Sequence, residues 1–268
     1  MPSSDADFPI LEFDPTRTAL IEPRRRRGRE AAPEAVVLCF FLEVIESVCG
    51  EGRAEEVTAF SWEHGTHSLY ALESEWGTVG VYHPGVGAPM AAGMLEEAIA
   101  AGGRRFVACG GAGAVIPGLA LGHVVVPTSA VRDEGTSYHY LAPGREIDLE
   151  PGAVDTLTGV LTSHDVPHLT GKTWSTDAPY RETVERIARR RAEGCLTVEM
   201  ETAALAAVAR FRGVSFAQYL YAGDDVSGEA WDHRGWTSSS IRTDLFWLAV
   251  EAAAKLQDPP SAVQDPDA

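Results

Sequence analysis

Residues 78–113 read TVGVYHPGVGAPMAAGMLEEAIAAGGRRFVACGGAG, and this stretch decides the fold. Thr78–Tyr82 is short and largely apolar, as a strand buried in a sheet requires. It runs into Gly85-Val86-Gly87-Ala88-Pro89, and a helix follows to about Ala101, where Gly102 and Gly103 stop it. Pro89 suits a first helical turn, because the N–H it lacks would have no partner there. Arg105–Cys109 is a second apolar strand, and Gly110-Gly111-Ala112-Gly113 reads as a glycine turn after it. Strand, helix and strand in such close succession are the unit of a layered α/β sheet.

The same alternation continues outward. Ala35–Leu38 reads as a strand followed by a helix to about Val48, and His123–Pro127 as another strand. Leu196–Val198 leads into a helix ending near Arg212, with Gly213 placed as a left-handed stop. Val214–Tyr221 is a long strand and Ile241–Leu256 a closing helix. The expected architecture is one α/β domain over residues 34–256, a three-layer sandwich whose central mixed β-sheet is flanked by helices. Residues 1–33 lack hydrophobic periodicity and read as a partly flexible leader. Residues 257–268, QDPPSAVQDPDA, read as a disordered tail.

Composition narrows the function. The chain has 268 residues, 45% of them hydrophobic, and a formal net charge of −17. Such a surface repels nucleic acid and anionic membranes, so neither is an expected partner. The basic run Arg24–Arg27 reads as a solvated block. Apolar runs fall short of the roughly 20 residues of a membrane helix, and no secretion leader is expected. Cys39, Cys49, Cys109 and Cys195 are scattered, with no CxxC pair, which suits reduced thiols in a cytoplasmic protein. His64 and His67, and His164 and His168, are spaced like ligands. Nothing completes either set, the second brackets Pro167 in a loop, and no metal or organic cofactor is expected. No GxSxG elbow, completed GxGxxG or GxxxxGK[ST] motif is present.

The chemistry-bearing residues gather where strands end, the place where open α/β sheets bind ligands. Gly85, Gly87, Gly110, Gly111 and Ala112 would let a ligand approach bare backbone N–H groups. Glu199, Met200 and Glu201 sit at a strand-to-helix junction, where the helix dipole also favours acids. Asp224, in Gly223-Asp224-Asp225, is placed either to protonate a leaving group or to cap a loop. The segment Trp231, Asp232, His233, Arg234 and Trp236 that follows is a lid, a specificity wall or a plain surface loop.

Together these motifs resemble the nucleoside phosphorylase/nucleosidase superfamily over about residues 35–256. The likeness is densest in VYHPGVGAP and RRFVACGGAGAVIPGLALGHVVVPTSAVRDEGTSYHY, between Val81 and Tyr140, and returns in GKTWSTDAPY and TVEMETAAL. It implies the nucleoside phosphorylase fold, a small-molecule nucleoside as partner, and a homodimer or hexamer. By resemblance Met200 packs on the ribose, Glu201 accepts its hydroxyls, Tyr180 stacks on the base and Asp224 is the acid at purine N7.

Departures from the family pattern bear on mechanism. The Gln-x-Arg pair with which uridine phosphorylases read a pyrimidine is replaced by about Thr183 and Glu185. The phosphate-binding arginine and Ser/Thr at the glycine turn are replaced by Ala108 and Gly111. The early phosphate loop is replaced by Cys39–Val44, with Glu43 near its arginine. Glu43 there resembles the water-activating glutamate of the family's nucleosidases. The resemblance therefore implies N-glycosidic cleavage of a purine-type nucleoside, with hydrolysis ahead of phosphorolysis, in which phosphate would be co-substrate. A catalytically silent nucleoside-binding protein is the third reading.

Overall fold

The computed structural model describes residues 8–23, 31–50, 52 and 54–259. The Arg24–Arg27 block and residues 260–268 of the expected tail lie outside the described residues, as does the side chain of Cys49. In chain order the elements begin with β1 (Ala35–Cys39), α1 (Leu42–Gly50), β2 (Ala54–Trp62), β3 (Gly65–Ser74), β4 (Gly77–Tyr82) and α2 (Ala88–Ala101). Then come β5 (Arg105–Ala114), β6 (Val124–Asp133), β7 (Glu146–Asp148), α3 (Pro151–Ser163), β8 (His168–Thr176) and α4 (Val184–Ala192). The chain closes with β9 (Cys195–Glu199), α5 (Thr202–Arg212), β10 (Ser215–Asp225) and α6 (Ser239–Lys255).

The strands form one mixed sheet in the order β10-β6-β8-β9-β5-β1-β4-β3-β2. β10 also pairs in parallel with β5, from Ser215 opposite Arg105 onward, so β5, β10, β6, β8 and β9 close a circuit. β1, β4, β3 and β2 extend from β5 as an open arm, and the short β7 pairs with β6. Every residue of β1 is buried, as expected of a strand paired in parallel on both edges, to β4 and β5. Helices α2 and α5 pack together as one layer, and α3 and α6 as another. Leu38, Phe106, Tyr219 and Phe246 are fully buried between sheet and helices. This is the mixed sheet with flanking helices that the sequence implies.

One local expectation is corrected. Gly110–Gly113 is not a turn but the second half of β5, with Gly110, Gly111 and Ala112 paired to Leu220, Tyr221 and Ala222. Glycine serves close approach there: a Cβ on Gly111 would lie 3.3 Å from Tyr221, and one on Gly113 would lie 3.0 Å from Val198. His164 and His168 bracket Pro167 in a short loop as expected, His164 capping α3 and His168 opening β8. The imidazole of His164 is bonded to Glu251 at 2.7 Å.

Cys39, Cys109 and Cys195 are buried and unpaired, and burial pushes the Cys195 thiol up to about 12. Among the described residues no helix is long and apolar enough to cross a membrane. Gly213 ends α5 at φ 72° and ψ 46°, the left-handed region, with open space where a Cβ would go. The backbone conformation alone therefore sets the cost of a side chain at this position. Gly213→Ala is expected to lower unfolding free energy by about 1 kcal/mol in denaturant titration.

Candidate active site

The sheet opens where β5 changes partner. β1 pairs with β5 as far as Cys39 opposite Cys109, and β9 joins only at Gly113 opposite Val198. Gly110, Gly111 and Ala112 are thus paired to β10 on one edge, while β1 and β9 diverge on the other. A cavity of about 650 Å³ fills that gap. Gly110–Gly113, Phe40, Phe41, Val198–Glu201, Gln218, Asp224 and Arg242 are among its walls. Apolar walls with a few polar groups are the ordinary make-up of a small-molecule site.

At one end stand Glu199, Met200 and Glu201, where β9 passes into α5. The two carboxylates do different work. One oxygen of Glu199 accepts the N–H groups of Glu201 and Thr202, both at 2.7 Å, and the other accepts the Ser175 hydroxyl at 2.6 Å. The Ser175 hydroxyl oxygen in turn accepts the N–H of Ala203. Glu199 is the cap of α5, and its hydrogen-bonding capacity is largely spent. Glu201 accepts the N–H of Gly87 at 2.6 Å and that of Met200 at 3.3 Å, one on each oxygen. Each oxygen keeps a lone pair, and the group lines the cavity. Burial, followed by the charge of Glu199, pushes its pKa up to about 8.

At the other end Asp224, near the end of β10, accepts the indole N–H of Trp231 at 2.6 Å. Glu182, just after the 3-10 turn Pro179–Arg181, shares this end. Burial, then the charge of Asp224, pushes Glu182 up to about 7, against the pull of Arg186. Tyr180 lies at the rim, 99% exposed. Trp231 and Trp236 both line the cavity, so their segment is a wall of it.

The third region contains a residue the sequence reading did not single out. Arg242, near the start of α6, is the only cation among the cavity's described lining residues. Its guanidinium bonds to Glu43 at 2.6 Å and to the Tyr221 hydroxyl at 3.2 Å, and lies over the rings of Phe41 and Trp236. Glu43 is not among the lining residues and stands beside the cavity, bonded to Arg242. Its mild burial is outweighed by the hydrogen bond and charge of Arg242, which hold its pKa below the usual carboxylate value.

The sequence pattern of the Phosphorylase superfamily matches residues 34–253. The chain belongs to that superfamily. A guanosine phosphorylase of Halorubrum lacusprofundi is 33% identical over 130 residues, which are 48% of this chain and 54% of that relative. The chain thus spans about half the length of that curated relative. A purine nucleoside phosphorylase of Toxoplasma gondii, solved with immucillin-H, superposes with a TM-score of 0.73 at 17% identity. It covers 89% of this chain and 97% of its own. An AMP nucleosidase of Bacteroides thetaiotaomicron gives 0.64 at 20% identity, over 81% of this chain and 85% of its own. At such identities the two structures speak for the fold alone.

Within this superfamily member, the cavity gathers eight of the eleven residues singled out from sequence: Glu199, Met200, Glu201, Tyr180, Gly110, Gly111, Ala112 and Asp224. Gly85 and Gly87 are not in its walls, though Val86 between them is. Gly87 contributes through its bond to Glu201, and a side chain on Gly85 would strike Met90 at 2.3 Å. Glu43 is likewise outside the walls. Glu182, Gln218 and Arg242 were not anticipated, because only the folded chain brings them to one cavity.

The unequal bonding of the two glutamates yields a test. Glu199→Ala is expected to cost about 2–4 kcal/mol of stability by thermal melting, since it strips three donors of their acceptor. Glu201→Gln keeps the shape of the side chain. It is expected to leave the melting temperature closer to wild type while lowering kcat/KM about 100-fold.

Proposed function

We propose that the chain cleaves the N-glycosidic bond of a purine-type nucleoside, with water favoured over phosphate as the attacking group. The sugar lies on Met200, its hydroxyls bonded to Glu201, and the base points toward Asp224. As the C1′–N bond breaks, the electron pair passes to the base, and positive charge grows on the sugar ring beside Glu201. Ionised above its raised pKa of about 8, a carboxylate so placed stabilises that charge more than it stabilises the ground state. Asp224 supplies a hydrogen bond or proton at N7, making the base a better leaving group.

The observation that carries the choice of water is the ion pair between Arg242 and Glu43. The cavity walls hold four carboxylates, Glu182, Glu199, Glu201 and Asp224, against one described cation whose charge is already engaged. A phosphate dianion would enter with few charge-assisted donors to replace its water, each of which is worth about 1.5–3 kcal/mol. Water faces no such loss. Glu43 is the acceptor of its proton in this reading. A carboxylate of lowered pKa is a weak base, which suits a late transfer from water already bonding to a cationic sugar carbon.

One observation favours phosphorolysis instead. Arg242 is in the wall, and an anion able to displace Glu43 would find both its guanidinium and the open edge of β5. The guanosine phosphorylase that resembles the chain in sequence adds weight to that reading.

The deciding experiment incubates purine nucleosides with and without phosphate and separates base, free sugar and sugar 1-phosphate by chromatography. Free sugar formed without phosphate, and reduced at least about 100-fold in Glu43→Gln, is the expected result. Strict dependence on phosphate would overturn hydrolysis and assign Arg242 to the anion. Binding of nucleosides without turnover in either arm would make the chain a binding protein.

A further inference from the structure

Glu182 is the one carboxylate in the cavity whose partners are missing. Glu199 holds three donors, Glu201 two and Asp224 one, all from the protein. Among the described residues nothing donates a hydrogen bond to the carboxylate of Glu182, although the residue is only partly exposed and lines the cavity. The charges that face it are Asp224 from β10 and Arg186 from α4. Arg186 is itself held by Asp133 at 2.6 Å. A carboxylate partly withdrawn from water and left without donors is destabilised until something supplies them. A ligand that fills the cavity and excludes water there has to supply them.

We propose that Glu182 reads the base, selecting nucleosides whose base presents adjacent N–H donors, the 2-amino-6-oxopurine edge, over 6-aminopurines. This rests on the proposed cleavage of nucleosides, with the base lying toward Asp224. A carboxylate accepts two parallel N–H donors, and ring N–H and exocyclic amino group of such a base are spaced for that pairing. A 6-aminopurine offers an acceptor at the ring nitrogen instead, and a lone pair would face a negative oxygen. A site built around donors discriminates strongly, because the wrong base leaves its buried acceptor unpaired.

The protonation state of Glu182 gives a second signature. Burial and then Asp224 place its pKa near about 7, above the usual carboxylate value. Above that pH the carboxylate accepts from the 2-amino-6-oxo edge. Below it the protonated group both donates and accepts, a pattern that matches the ring nitrogen and amino group of a 6-aminopurine. Preference for guanosine over adenosine therefore rises as pH increases through this range.

The test measures kcat/KM for guanosine, inosine and adenosine, and calorimetric binding of guanine and adenine, between about pH 6 and pH 8, on wild type and Glu182→Gln. The expected result is about a 100-fold loss for guanosine in the variant. Adenosine is expected to hold or gain, since an amide pairs with the adenine edge, and the ratio should no longer vary with pH. Equal losses for guanosine and adenosine, or a wild-type ratio flat with pH, would overturn the role of Glu182 while leaving the cleavage reaction standing. Guanine binding that Glu182→Gln weakens, in a protein that cleaves no nucleoside, would sink the reaction and keep the role. Failure to bind or cleave any of these ligands overturns both. Should the variant not fold, the wild-type ratio across the same pH range decides.

Discussion

The site exists because one strand cannot keep the same neighbour along its whole length. β5 is paired to β1 up to Cys109 and to β9 from Gly113, and these two neighbours run in opposite directions relative to it. A parallel and an antiparallel partner cannot merge, so they separate and leave Gly110–Ala112 exposed on one edge. Everything polar in the cavity is arranged around that parting. Phe40 and Phe41 follow β1, Glu199 ends β9 with Met200 and Glu201 after it, and Asp224 lies near the end of the strand that holds the opposite edge of β5. Backbone pairing thereby brings together groups more than a hundred residues apart in the chain, as in the bond from Gly87 to Glu201.

Much of this was legible in the residues. The all-buried β1 and the largely buried β4, β5 and β10 announce themselves as apolar runs, and Gly213 marks the end of α5 by conformation alone. Met200 and Glu201 follow one apolar strand immediately and Asp224 lies near the end of another, so their shared location could be read from the alternation of strand and helix. Their roles came from resemblance rather than from pattern. The glycine run was misread because Gly110–Gly113 carries the composition of a turn. Its conformation is decided by Tyr221 and Val198, which press on it from strands far away in sequence.

What stayed hidden has a physical cause in each case. The hairpin of β2 and β3 is mixed in polarity, with Glu55, Glu56 and His67 among its residues, so no apolar run betrays it. β8 carries polar residues whose partners lie on β9, as when Thr173 and Thr197 bond at 3.0 Å. Arg242 lies in the stretch that reads as the closing helix, and Glu182 in one to which the pattern assigns no element. Neither spacing nor composition says that the first meets Glu43 across 199 residues or that the second shares a cavity with Asp224. Long-range partners are invisible to local pattern, and the unexpected parts of the site are the long-range ones.

The closed circuit of strands also governs how the molecule is born. β10 is the last strand among the described residues, yet it occupies the edge of β5 and pairs with β6. Until it emerges, a growing chain carries both of those edges bare, with their N–H and C=O groups open to any passing strand. Closing a ring across so much sequence carries the entropy of a long loop and must await the arrival of β10. The geometry that creates the binding crevice thus leaves the unfinished polypeptide open to misplaced strand pairing, and β10 is the part whose arrival ends that exposure.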